Sequence, residues 1–267
     1  MAGKGAMHPV LVDFGFFQLP TYGVLLAVGL VLGLWTAKRR APHAGLPQER
    51  VVDFGVWVVL GGLAGGKVLL VVTDPSYLSS VEGLLGLLRA GGVFYGGLLG
   101  AMGTAAYLVR RWRLPFFLLA DTLAPSVALG HFFGRLGCFF AGCCYGASCE
   151  APWAVVFSDP RAAEISGTPL GVPLHPTQLY EAAFNLANYA FLAALFKKTE
   201  RVFLRGQVFG FYLANYGLAR FFIEFFRGDA DRGFVFGGVL STSQAIALVL
   251  VPLGVALIVR GLRRGER

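Results

Sequence analysis

Residues 130–146 read GHFFGRLGCFFAGCCYG, an apolar run that holds one arginine, Arg135, and three of the four cysteines. A guanidinium in an apolar segment is costly and is retained where something negative needs it. Other apolar segments supply charges of the same kind: Lys67, Arg220 and Arg227 are basic, and Asp121, Glu181 and Glu224 are acidic. Arg220, Glu224 and Arg227 are spaced i, i+4, i+7 and so share one face of a helix. The basic residues outnumber Glu181 and Glu224, which predicts a pocket with spare positive charge. Arginine's planar fork of donors suits phosphate, so the chemistry indicated is capture of a phospholipid head group. An internal ion-pair ladder that only locks helices together would need the same pairing. A voltage sensor would repeat its arginines along one helix, whereas here they are spread over several.

Two histidines and the cysteines add further candidates. His131 lies four residues before Arg135 on the same helical face, either a packed residue or a secondary candidate base. His175 opens the stretch HPTQLYE, residues 175–181, where Pro176 suits a first helical turn and the histidine could cap that helix. The cysteines, Cys138, Cys143, Cys144 and Cys149, have the spacing C-x4-C-C-x4-C and lack the paired C-x2-C of common zinc sites. Structural roles or one or two disulfides on an oxidising face rank above a thiol activated by Arg135, and a metal is a weak reading. No metal and no cofactor are expected.

These side chains need elements that carry them in lipid. Hydrophobic residues make up 56% of the 267 and charged residues 14%, against roughly 25% charged in a soluble domain. Mean hydropathy is +0.65. The fold class expected is an all-α polytopic membrane protein, one integral domain over 1–267. The net charge of +8 sits in short clusters between apolar segments, which speaks for membrane topology and against nucleic acid. Seven segments are long enough to span at roughly 20 residues each: 19–37, 51–73, 93–109, 115–137, 178–196, 206–226 and 241–260. Asp13 and Pro20 interrupt the first apolar run, so no cleaved signal peptide is expected.

Loop charge sets the orientation. Lys38, Arg39, Arg40 and Arg50 follow the first span, and Arg110, Arg111 and Arg113 the third. Lys197, Lys198, Arg201 and Arg205 follow the fifth, and Arg260, Arg263, Arg264 and Arg267 end the seventh. The opposite side has only Lys4, Arg89, Arg161 and Arg232. The N-terminus is therefore expected outside and the C-terminus in the cytoplasm, with 145–177 as an outer-face loop region. In that topology Lys67, Arg135, Glu181, Arg220, Glu224 and Arg227 converge near the outer leaflet, where Tyr22 and Tyr95 open the first and third spans. Gly61-Gly62-Leu63-Ala64-Gly65-Gly66 and Gly96-Gly97-Leu98-Leu99-Gly100 read as close helix packing.

With these residues assembled, the chain resembles the bacterial prolipoprotein diacylglyceryl transferases over nearly its whole length. The resemblance rests on Tyr22-Gly23, Gly96-Gly97, Ala124-Pro125, GRLG at 134–137, HPTQLYE at 175–181 and RFFIEFFR at 220–227. It implies an enzyme of the bacterial cytoplasmic membrane that moves the diacylglyceryl group of phosphatidylglycerol to the lipobox cysteine thiol of a prolipoprotein, releasing glycerol phosphate. It also implies catalytic roles for Arg135, Arg220 and Glu224, with Tyr95 and His131 as candidates. Tyr22, Lys67, Cys138, Cys143, Glu181 and Arg227 are the implied substrate-binding residues. The family signature G-R-x-G-N-F-x-N-x-E-x-x-G is altered here: Cys138 and Ala141 replace its asparagines and Cys143 its glutamate. Tyr95 stands where the family has a histidine before Gly-Gly. A paralogue with the same donor and another acceptor, or a non-catalytic phospholipid-binding or anion-transport protein, are the alternative readings.

Overall fold

The computed structural model describes residues 3–4, 8–15, 18–199, 205–229 and 233–265. Arg201, Arg232 and Arg267, counted above among the loop charges, lie outside the described residues. The helices in chain order are α1 (Thr21–Arg40), α2 (Gln48–Thr73), α3 (Val81–Arg89), α4 (Phe94–Arg111), α5 (Phe116–Ala141), α6 (Pro160–Ser166), α7 (Thr177–Lys198), α8 (Gln207–Ile223) and α9 (Thr242–Gly265). Each segment predicted to span is thus helical over most of its length. Among the described residues, four helices are long and apolar enough to cross a bilayer: α1, α2, α5 and α9. Of the rest, α4 has 18 residues and α8 has 17, while α7 carries a buried face of Gln178, Glu181, Asn185 and Asn188 that lowers its hydropathy.

Backbone contacts divide the chain into two compact units, residues 38–119 and the remainder. In the first, α2 packs antiparallel on α4 through glycines. A Cβ on Gly65 would run into the carbonyl oxygen of Gly96, and one on Gly96 into that of Gly65. The small residues thus let two backbones touch, as their sequence pattern predicts. Lys67, expected in the phosphate pocket, turns instead to the end of α3. Its ammonium donates to the carbonyls of Leu87 at 2.5 Å, Leu88 at 3.4 Å and Ala90. Those carbonyls have no partner within their own helix, so an intramembrane cation satisfies them.

In the second unit α1 lies antiparallel to α5. Gly33 faces Ser126 and Gly29 faces Phe133. Ser126 donates to the Gly33 carbonyl at 2.6 Å and lies 3.2 Å from the Thr36 hydroxyl. The pairs α7–α8 and α8–α9 are antiparallel as well; Asn188 meets Asn215 and Gly210 meets Gly254. Asp121, fully buried in α5, accepts from the backbone N–H groups of Gly206 at 2.7 Å and Phe209 at 2.8 Å. It caps the first turn of α8, where donors are unpaired and the helix dipole favours an anion.

Small sheets fill the connections. Strands β2 (Val10–Asp13) and β3 (Gln18–Pro20) form a hairpin, and β6 (Phe234–Val235) pairs antiparallel with β7 (Leu240–Ser241). Between α5 and α7, β4 (Val155–Val156) pairs parallel with β1 (Gly3–Lys4) and antiparallel with β5 (Pro173–Leu174). Phe157, Ala162 and Leu174 form a small buried core there, so the predicted loop region is a folded cap over the end of α5.

Candidate active site

Three helices bring polar faces together. The face of α5 carries His131, Arg135 and Cys138; that of α7 carries Gln178, Glu181, Asn185 and Asn188; that of α8 carries Tyr212, Tyr216 and Arg220. Arg135 Nε lies 2.9 Å from Glu181 Oε1, and Arg220 Nη1 lies 2.7 Å from Glu224 Oε2. Tyr216 joins the two ion pairs. Its hydroxyl donates to Glu181 Oε1 at 3.5 Å, and it lies within electrostatic reach of both Arg135 and Arg220. The second Arg220 nitrogen, Nη2, donates to the Ser243 hydroxyl at 3.0 Å. Exposure separates the two arginines: the Arg135 side chain is 21% accessible and that of Arg220 10%. The guanidinium of Arg135, anchored at Nε, has donor capacity to turn toward an incoming oxyanion.

Arg227 departs from the predicted geometry. The helix stops at Ile223, and Glu224–Phe226 form a tight 3-10 turn, so Arg227 leaves the face shared by Arg220 and Glu224. It pairs with Asp229, its Nε donating to Asp229 Oδ1 at 2.7 Å. Burial opposes the charge of Arg227, but the hydrogen bonds to Asp229 outweigh it and hold its pKa above the usual arginine range. The expected surplus of positive charge disappears on this count. Lys67 is committed to α3, and the three arginines face Glu181, Glu224 and Asp229. What remains for a phosphate is the geometry of Arg135.

The segment after α5 is stitched to the segment after α8. Gly146 and Arg227 form an antiparallel bridge, Ala147 N donates to the Phe226 carbonyl at 2.8 Å, and Gly228 N to that of Tyr145 at 3.2 Å. Gly146 is required there because a Cβ would collide with His175 and with the Phe226 carbonyl. His175 does not cap α7 with its ring. Its Nδ1 lies 3.0 Å from the Tyr180 hydroxyl, which also accepts from Trp153 at 2.7 Å.

The other predicted residues are placed as follows. Tyr22, in the first turn of α1, packs against Gly137 and lies within electrostatic reach of Arg135, Cys138, Cys143 and Cys144. His131 sits beside two tyrosines, its Nδ1 3.3 Å from the Tyr212 hydroxyl and its ring centroid 5.0 Å from that of Tyr216. Tyr95, in the first turn of α4, is exposed and packs edge-on against Phe94. All four cysteines are free thiols, so none of the disulfides left open by the sequence is formed in this structure. The sulfurs of Cys138, Cys143 and Cys144 lie within 4.8 Å of one another.

Sequence reasoning missed Tyr216, Asn185, Asn188, Asn215, Gln178 and Ser243. Charged residues carried that reasoning, and these uncharged polar ones had no role in it. The usable signal was the 3- and 4-residue spacing of Gln178, Glu181, Asn185 and Asn188, which puts a polar stripe on one face of an apolar helix.

Comparison with known proteins finds relatives over nearly the whole chain. The family model for prolipoprotein diacylglyceryl transferase matches residues 9–260. A phosphatidylglycerol–prolipoprotein diacylglyceryl transferase from Clostridium tetani is 32% identical over 249 residues, covering 93% of this chain and 96% of the relative. One from Vibrio atlanticus is 35% identical over 271 residues, covering 97% and 93%. A protein named phosphatidylglycerol–prolipoprotein diacylglyceryl transferase 2, from Clostridium perfringens, is 32% identical over 260 residues, covering 94% of each.

Proposed function

Because this chain belongs to the prolipoprotein diacylglyceryl transferase family, we propose that it transfers the diacylglyceryl group of phosphatidylglycerol to the lipobox cysteine thiol of a prolipoprotein and releases glycerol phosphate. The observation that carries this reading in the site itself is Arg135, held at Nε by Glu181 and the most accessible of the three clustered arginines. A phosphate ester leaves only if its developing charge is stabilised, and a fixed guanidinium supplies that stabilisation. Glu181 orients Arg135, and the Arg220–Glu224 pair braces Tyr216 from the other side. Tyr22 lines the mouth beside the thiols. His131, in contact with Tyr212, is the side chain within this unit placed to take a proton from the acceptor thiol, which must ionise to attack.

We place the enzyme as seven passes through a bacterial cytoplasmic membrane, N-terminus outside, with 145–177 on the outer face. The antiparallel pairing of α1 with α5, α2 with α4, α7 with α8 and α8 with α9 supports that alternation. The test is direct. Purified protein given phosphatidylglycerol and a lipobox peptide should yield a diacylglyceryl thioether, detected by mass spectrometry. Bound phosphatidylglycerol without thioether would reject this acceptor.

A further inference from the structure

The cysteine cluster is not absorbed by the phosphate site. Cys138 ends the polar face of α5, and the chain then doubles back. Gly142 and Cys144 take left-handed conformations, φ 81° and 61°, the latter unusual for a residue with a side chain. The reversal folds Cys143 and Cys144 back over Cys138, and the three sulfurs fall within 4.8 Å of one another. The loop is held from α7: Gln178 Nε2 donates to the Cys143 carbonyl at 2.7 Å and the Thr177 hydroxyl to that of Cys144 at 2.9 Å. Gln178 and Thr177 are each 1% exposed, so the supports are buried and fixed. The C-x2-C criterion describes sites built on a tight turn. Here a helix end and a reversed loop do the same work with x4 spacing.

We propose that Cys138, Cys143 and Cys144 bind one zinc ion and that its fourth position takes the cysteine thiol of the acceptor peptide. Zinc–sulfur bonds of about 2.3 Å put tetrahedral sulfurs about 3.8 Å apart, so a small contraction of the triad suffices. Three thiolates around Zn2+ leave one negative charge, beside Arg135 and Arg227, both within electrostatic reach of Cys144. A three-ligand site with an open position is the catalytic form of zinc coordination, and a coordinated thiol is deprotonated outright. The proposal rests on the transferase reading. The bound sulfur attacks the glyceryl carbon that carries the phosphate ester, forming C–S as C–O breaks. The electron pair leaves on glycerol phosphate, which also takes up the proton lost by the acceptor thiol. The product thioether is neutral, a poorer zinc ligand than thiolate, and departs.

The experiment uses the full-length protein in detergent under reductant. Metal analysis after zinc loading should give about one zinc per chain, lost in Cys138→Ser, Cys143→Ser and Cys144→Ser and kept in Cys149→Ser, whose thiol lies outside the triad. Cobalt-loaded wild type should show tetrahedral thiolate absorption that shifts on adding a lipobox peptide and stays unchanged with its Cys→Ser analogue. Gln178→Leu should weaken zinc about tenfold or more, as loss of an outer support does. Zinc below about a tenth of an equivalent, copper bound in its place, a Cys138–Cys144 disulfide persisting in reductant, or a cobalt spectrum unmoved by the cysteine peptide overturns the proposal. Wild-type cobalt titration decides the matter if the serine variants fail to fold. Thioether formation at full rate by metal-stripped protein defeats the zinc site and leaves the transferase intact. A zinc-loaded protein that binds peptide and makes no thioether defeats the transferase reading instead.

Discussion

At Arg135 a single guanidinium nitrogen meets Glu181, whereas Arg220 has Nη1 on Glu224 and Nη2 on Ser243. The two arginines should therefore respond differently to substitution. Arg135→Lys keeps a charge opposite Glu181 but loses the fork, so turnover should fall about 100-fold or more with the fold retained, measured by thioether yield and thermal midpoint. Arg220→Ala strands the buried Glu224 carboxylate, which costs about 3–5 kcal/mol. Its first symptom should be a lowered thermal midpoint; an unchanged midpoint would show that the pair is not structural. Arg135, Arg220, Glu181 and Glu224 were legible in the sequence because charge in an apolar run has few explanations. The partners that Lys67 has within its own unit were not legible, for a physical reason. The carbonyls at the end of α3 are invisible as a charge pattern, and they attract a cation as a phosphate does.

Among elements, α8 is defined by its two ends. Its start is secured by Asp121, a residue of α5 whose carboxylate takes two backbone donors. Asp121→Ala should destabilise by about 1–3 kcal/mol, the penalty for leaving buried donors unmet, with little change in KM for the lipid. A large rise in KM would place Asp121 in substrate binding instead. The end of α8 defeated the i, i+4, i+7 argument, because periodicity carries no information about where a helix stops. Gly228 packs against the Gly146 carbonyl, and that tertiary contact draws the chain off the helix axis. The α2–α4 contact was readable in advance from its glycines. Gly65→Leu should cost about 1–3 kcal/mol by overpacking, read as a lower thermal midpoint.

For the molecule as a whole, hydropathy located seven of the nine described helices to within about five residues, and four of those seven are long and apolar enough to cross a bilayer, because membrane segments obey a length rule that short soluble helices do not. Hydropathy did not reveal the folded cap between α5 and α7, whose strands have only two residues each. Topology can be tested in a background without native cysteines. A membrane-impermeant thiol reagent should label Leu170→Cys in intact cells, and His43→Cys only after permeabilisation. Labelling of His43→Cys in intact cells would invert the orientation.

The backbone ladder joining Tyr145, Gly146 and Ala147 to Phe226, Arg227 and Gly228 has a consequence for traffic. The two segments are sewn together, and neither can part from the other without breaking main-chain hydrogen bonds. A covalent rivet across Ala147 and Phe226 only reinforces a contact already made, so it should leave lipid turnover undisturbed.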